Sequence, residues 1–150
     1  MNGTDKKKVV VKFEGSSEVK KPEPEKVELA VDKEALKKFK LIAVAYSHVE
    51  REWFPNEQSY LAEVEVEERA AEVIKEIEKL GIKAKGYPGD KYFLTNLLVD
   101  HPDLVLNLVD TLKGRDALQT SIPAALELAN IPYTGAEMQG LVIGNDRHLI

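Results

Sequence analysis

Two short segments limit what this chain can become. Leu41-Ile42-Ala43-Val44-Ala45-Tyr46 and Leu104-Val105-Leu106-Asn107-Leu108-Val109 are strand-length runs, apolar almost throughout. A strand with one wet face alternates apolar and polar residues. A strand covered on both faces does not, and that is the signature of a parallel sheet sandwiched by helices. Between and after these runs the period changes. From Val64 to Leu80, the residues Val66, Ala70, Val73, Ile74 and Ile77 fall on one helical face, with Glu and Lys opposite. Gly81 follows, where a left-handed residue ends a helix.

The remaining elements follow from the same signals. Ile82 to Tyr87 reads as a second strand closed by the turn Pro88-Gly89-Asp90, and Tyr92 to Asp100 as a short helix halted by His101-Pro102-Asp103. A further helix runs from Thr120 or Ser121 to Ala129, with Ile122, Ala125, Leu126 and Ala129 inward; Pro123 fits because it falls in the first turn. Asn130 stops that helix. Ile131 to Thr134 reads as a fourth strand, and Ala136 to Ile143 as one or two helical turns. Alternating strands and helices require parallel pairing with crossovers. The expected fold is α/β: an open, mostly parallel sheet with helices on both faces, of Rossmann-like type.

The first forty residues differ in character. They hold 11 basic and 8 acidic side chains, whereas residues 41–150 hold 10 basic and 18 acidic. Val9 to Phe13 reads as a short strand, Lys20 to Lys26 as a charged Pro-rich linker, and Asp32 to Lys40 as a short helix capped by Asp32. Residues 1–40 are expected to be an extension, and 41–150 the folded domain.

Composition removes several classes. The net charge is −5, and no basic stripe with interleaved aromatics marks a nucleic-acid surface. No apolar run reaches the roughly 18 residues that span a bilayer, and Met1 to Lys8 is charged rather than signal-like. Cysteine is absent, so there is no thiol nucleophile and no Cys-based metal site. A cytoplasmic protein without nucleic-acid or membrane partners is expected. His48, His101 and His148 share no ligand spacing, and no metal site is expected from them. The chain has no GxGxxG, no GxxxxGK[ST] and no nucleophile elbow.

Open parallel sheets bind ligands beyond the carboxyl ends of their strands. Three loops lie on that edge: Ser47 to Glu52, Tyr87 to Asp90, and Asp110 to Gln119 with Arg115. The candidate site residues are Glu50, Ser47, Asp110 and Arg115. Glu50 and Asp110 either hold an ammonium group together or are two solvated carboxylates. Arg51 and Arg115 have local ion pairing as the competing role, and Ser47 a turn or capping role. Trp53-Phe54-Pro55 either anchors its loop or forms an aromatic lid. No residue is assigned a catalytic or metal-binding role.

Three places resemble the N-terminal domain of the D-alanine–D-alanine ligase family of the ATP-grasp superfamily. The first is Ile42 to Glu52, an opening strand followed by Ser47-His48-Val49-Glu50-Arg51-Glu52. The second is Asn107 to Gln119 with Ile122 to Gly135, which ends in Ile131-Pro132-Tyr133-Thr134-Gly135. The third is Asn145-Asp146-Arg147, similar to the Asp-Lys that opens the family's next domain. Where true D-alanine ligases carry a His after the third strand, this chain reads Asp110-Thr111-Leu112-Lys113-Gly114-Arg115-Asp116-Ala117, which widens the resemblance to related carboxylate–amine ligases.

The resemblance implies an enzyme that phosphorylates a carboxylate with ATP and joins it to an amine, with Glu50 holding the ammonium of an amino-acid substrate. It implies ATP and magnesium as cofactors of the full-length enzyme, none of them held by this chain. It also implies an ATP-grasp domain in cis or trans, and a homodimer. The chain ends where that domain begins in the family, so a fragment inactive by itself, or one piece of a split enzyme, is expected. The other expectation is a non-catalytic α/β module that binds a small ligand or a protein.

Overall fold

In the computed structural model the chain divides into two units, residues 1–31 and 32–150, and the structure describes residues 32–145. The expected strand at Val9 to Phe13, the linker at Lys20 to Lys26 and the end of the Asn145-Asp146-Arg147 element lie outside the described residues.

The second unit opens with helix α1 (Lys33–Leu36), whose cap is Asp32: its carboxylate accepts from the amides of Glu34 and Ala35 at 3.0 and 3.1 Å. Then come β1 (Leu41–Tyr46), α2 (Glu57–Glu63), α3 (Val66–Lys79), β2 (Lys83–Pro88), α4 (Phe93–Asp100), β3 (Leu104–Asn107), α5 (Ser121–Leu128) and α6 (Met138–Asn145), with short 3-10 turns at Arg51–Trp53 and Asp116–Thr120. The sheet order is β2-β1-β3 and both pairings are parallel. The fold is therefore α/β, a small open Rossmann-like sheet with helices.

Register explains the unbroken apolar runs. Ile42 and Val44 pair with Ala84 and Gly86 on one face, while Ala43 and Ala45 pair with Lys85 and Tyr87 on the other. Helix α3 packs on the first face. There a side chain at Gly86 would stand 3.1 Å from the Tyr46 ring and 3.3 Å from Ile74, so glycine is what lets α3 close down. The opposite face builds the main core from Ala43, Ala45, Tyr87, Phe93, Leu97, Val105, Val109, Ile122 and Leu126. Residues 42 to 45 are thus buried whichever way they point.

Helix ends follow local chemistry. Gly81 (φ +81°) terminates α3, and His101 (φ +49°) terminates α4 with its amide on Leu97 O. Asn130 (φ +53°) ends α5 in a Schellman arrangement: Asn130 N donates to Glu127 O and Ile131 N to Leu126 O, which turns Ile131 back onto the core.

Two expectations differ from the observed elements. The fourth strand is reduced to a single parallel bridge of Tyr133 with Val105. Ile131 belongs to the helix cap, Pro132 has no amide to donate, and Gly135 (φ +108°) turns the chain away, so one pairing remains. The stretch between β1 and α3, whose first part to about Gln58 reads as loop in sequence, contains α2, begun by Asn56, whose side chain accepts from Ser59 N at 2.8 Å. Among the described residues no helix is long and apolar enough to cross a membrane.

Candidate functional site

Strand β1 sits between β2 and β3, so the chain leaves it toward one neighbour and later returns past it to the other. The crevice beyond its carboxyl end is the topological switch point, where such sheets take ligands. Three loops meet there.

The loop after β1 begins with Ser47, which is 1% exposed. Its hydroxyl donates to the Asp110 carboxylate at 2.8 Å and accepts from the amides of Asp110 and Thr111 at 3.3 and 3.2 Å. Ser47 and Asp110 thereby lock the ends of β1 and β3 together. His48 stands next, its Nε2 at 3.0 Å from Glu50 Oε1 and its ring edge against Trp53, centroids 5.5 Å apart. His48 thus props the Glu50 carboxylate from one side. Arg51 turns the other way, donating to Glu57 at 2.7 Å and to Phe54 O at 2.9 Å, which ties this loop to α2.

The loop after β2 is held by Gly89, whose amide donates to Tyr46 O at 2.8 Å. A side chain at Gly89 would collide with Leu112 at 2.5 Å, so glycine admits the third loop. Asp90 accepts from Tyr92 N at 2.8 Å. The loop after β3 makes a tight hairpin. Leu112 and Arg115 pair in antiparallel fashion, with Lys113 (φ +52°) and Gly114 (φ +67°) at the tip. Positive φ at both central residues is the type I′ pattern. Gly114 lies against Trp53 O and the Phe54 ring, so the hairpin tip docks on the aromatic anchor of the first loop.

Together these loops form a half-open cleft of about 550 Å³. Its lining is Trp53, Gly89, Leu112 and Leu118 as the apolar part, with His48, Glu50, Asp90, Lys91, Lys113 and Ser121 as the polar part. An apolar patch beside convergent polar groups is a common make-up of a small-molecule site. Both signs of charge are present, which suits a small amphoteric molecule.

Of the residues singled out from sequence, Glu50 lines this cavity. Ser47 and Asp110 lie just behind it and satisfy one another. Arg115 is exposed at the base of the hairpin, its backbone engaged with Leu112. The acidic side chains Asp110 and Asp116 face Glu63 on α2; burial first, then these two charges, raise the Glu63 carboxyl above its ordinary value. The sequence reading did not single out Asp90, Lys91, Lys113 or Ser121. The signal available for Lys113 is the dipeptide Lys113-Gly114 between Leu112 and Arg115, a two-residue turn in the loop that follows β3.

A second concavity, of about 660 Å³, lies by Glu127, Asn130, Tyr133 and Glu137. Its polar groups already serve the fold. Tyr133 Oη donates to Glu127 at 2.6 Å, and the Met138 amide at the start of α6 donates to the same carboxylate at 3.2 Å. Burial and that carboxylate push the Tyr133 phenol up to about 12, and the two donors hold Glu127 below the ordinary range. Among the described residues no group of three His, Cys, Asp or Glu gathers to hold a metal ion.

No protein-family model matches this chain, and no curated protein matches it in sequence.

Proposed function

We propose that this chain is the substrate-binding N-terminal domain of an ATP-dependent carboxylate–amine ligase similar to the D-alanine–D-alanine ligases. The observation that supports this reading most is the position of Glu50. It lines the switch-point cavity, in the loop where the ligase resemblance puts the ammonium-binding carboxylate.

Glu50 receives the substrate ammonium through a charge-assisted hydrogen bond and so orients the amino acid. His48 fixes the Glu50 carboxylate, and the Ser47–Asp110 lock fixes the backbone that carries both. Trp53, Leu112 and Leu118 exclude water from one side of the cavity. The residues present do not fit a nucleotide with magnesium: the cavity has no glycine-rich phosphate cradle and no metal-binding carboxylate cluster among the described residues. Carboxylate phosphorylation and amine attack are assigned to an ATP-grasp domain, and the isolated chain contributes substrate orientation alone.

A second reading is a non-catalytic module that docks a protein. It is favoured by apolar exposure on the last two helices, where Leu128 is 83% exposed and Val142 and Ile143 are nearly half exposed. In the ligase reading an ATP-grasp domain covers these side chains; in the module reading a separate protein does.

Titration with D- and L-alanine, followed amide by amide in NMR spectra, tests the site. Shifts centred on residues 48–53, 89–91 and 112–121 support the proposal. Shifts confined to the Tyr133 region, or none at millimolar ligand, overturn it.

A further inference from the structure

We infer that Lys113 is a specificity-determining residue of the switch-point cavity, holding the anionic group of a zwitterionic α-amino acid whose ammonium is held by Glu50. This rests on the Glu50 reading and goes beyond it. A site with Glu50 alone takes any small amine, whereas a site with Glu50 and Lys113 prefers amines that also carry a carboxylate.

The cavity carries two carboxylates, Glu50 and Asp90, and two ammonium groups, Lys91 and Lys113. The two lysines are not equivalent. Lys91 Nζ lies 4.8 Å above the centroid of the Tyr92 ring and is engaged there. The ion pairs formed among the described residues involve Lys37, His48, Arg51, Arg69, Lys79 and Lys85, and Lys113 is in none of them. Lys113 therefore brings a positive charge to the cavity with no carboxylate partner among the described residues. An ammonium not already paired is free to donate a charge-assisted hydrogen bond to an incoming anion.

The backbone adds an independent observation. Lys113 sits at φ +52° in the first central position of a type I′-like tip. That position favours Asn, Asp or Gly, and a lysine there carries the steric cost of the left-handed region. Turn chemistry gives no reason for lysine, whereas a cationic arm on the rim of the cavity does. The hairpin is also rigidly placed, because Gly114 packs on Trp53 and Phe54 and Leu112 fills the space over Gly89. The arm is thus anchored at its root relative to Glu50. The Ser121 hydroxyl, also on the cavity wall, supplies a neutral donor to the same anion.

The test is calorimetry on the full chain with alanine and with alaninamide, which keeps the ammonium and replaces the carboxylate by a neutral amide. The wild-type chain is expected to bind alanine at least tenfold more tightly than alaninamide. Lys113→Met is expected to erase that ratio by weakening alanine while leaving alaninamide unchanged, and Lys113→Arg to restore it. Lys113→Asn suits the turn better, so it is expected to melt no lower than wild type and still to lose the preference, which keeps the test valid should the Met variant fold poorly. Equal binding of the two ligands by wild type, with Glu50→Gln weakening both, overturns the role of Lys113 and leaves the Glu50 reading standing. An unchanged ratio in Lys113→Met and Lys113→Asn does the same. Failure of both ligands to bind wild type overturns both readings together.

Discussion

The Ser47 hydroxyl donates to the Asp110 carboxylate at 2.8 Å, across 63 residues of sequence, and joins the carboxyl ends of two adjacent parallel strands. The same oxygen accepts from two backbone amides of the β3 loop, so all of its hydrogen-bonding capacity is used inside the protein. Ser47→Ala leaves those part-buried amides without this partner and removes a buried hydroxyl that ties the two loops. It is expected to cost about 1–3 kcal/mol in urea unfolding. It is also expected to weaken amine binding, since Glu50 is carried on the same loop. A stability change below about 0.5 kcal/mol contradicts the structural role.

Gly114 is the second point at which the site depends on one residue. At φ +67°, an alanine there carries left-handed strain of about 1–2 kcal/mol. Its methyl group would also stand 2.9 Å from Trp53 O, a backbone atom with little room to give. Gly114→Ala is expected to lower the melting temperature and to free the hairpin from Trp53, seen as a change in tryptophan fluorescence. Gly81→Ala meets no atom within 4 Å and should change stability through backbone strain alone, with fluorescence unaltered.

Three carboxylates are held below their ordinary range by donors. Asp103 accepts from the amides of Leu41 and Lys40, Asp100 from Lys85 and Tyr87, and Glu127 from Tyr133 and the Met138 amide. A group whose folded value is depressed stabilises the fold fully above its unfolded value and loses that contribution as pH falls through the folded one. The contribution of these three carboxylates is therefore expected to be flat from about pH 7 down to about 5 and to decline below about 4, while the raised Glu63 carboxyl works the opposite way, favouring the fold as it gains its proton. Asp103→Asn should shallow that acid slope and lower the plateau, because an amide oxygen is a weaker acceptor for the two amides that begin β1. A parallel downward shift with no change of slope contradicts the assignment.

The core makes its own demand. Leu97 is fully buried on α4, beneath Ala43, Ala45 and Val105 of the sheet. Leu97→Ala is expected to cost about 2–5 kcal/mol, whereas Val99→Ala, two residues on and 71% exposed, should be nearly neutral. Equal effects would mean that the α4 face is not the one packed on the sheet.

The parts of this fold visible in sequence are those set by local pattern. The β1 and β3 runs, the α3 stripe, Asp32 as a cap, Gly81 as a stop and Pro123 in a first turn each report a requirement that a few adjacent residues meet alone. Helix α2 is not legible in sequence because Glu57 to Glu63 has no apolar stripe; its one local signal is Asn56 as a cap. The fourth strand was overstated because Ile131 answers to the helix cap before it and not to the sheet. The site was partly legible. Glu50 could be placed on the rim because strand order alone puts its loop there. The roles of Ser47 and Asp110 depend on a hydrogen bond between strands distant in sequence. Lys113 depends on a hairpin whose docking surface, Trp53 and Phe54, comes from another loop.

Amine binding at this site turns on Glu50, and the most direct measurement is the affinity of alanine for wild type and for Glu50→Gln, with circular dichroism confirming that both chains fold. Removing one charge-assisted contact to an ammonium is expected to weaken binding about 10- to 100-fold with unchanged melting. Equal affinity of the two folded proteins contradicts the account, since the amine would then be held somewhere other than the end of β1.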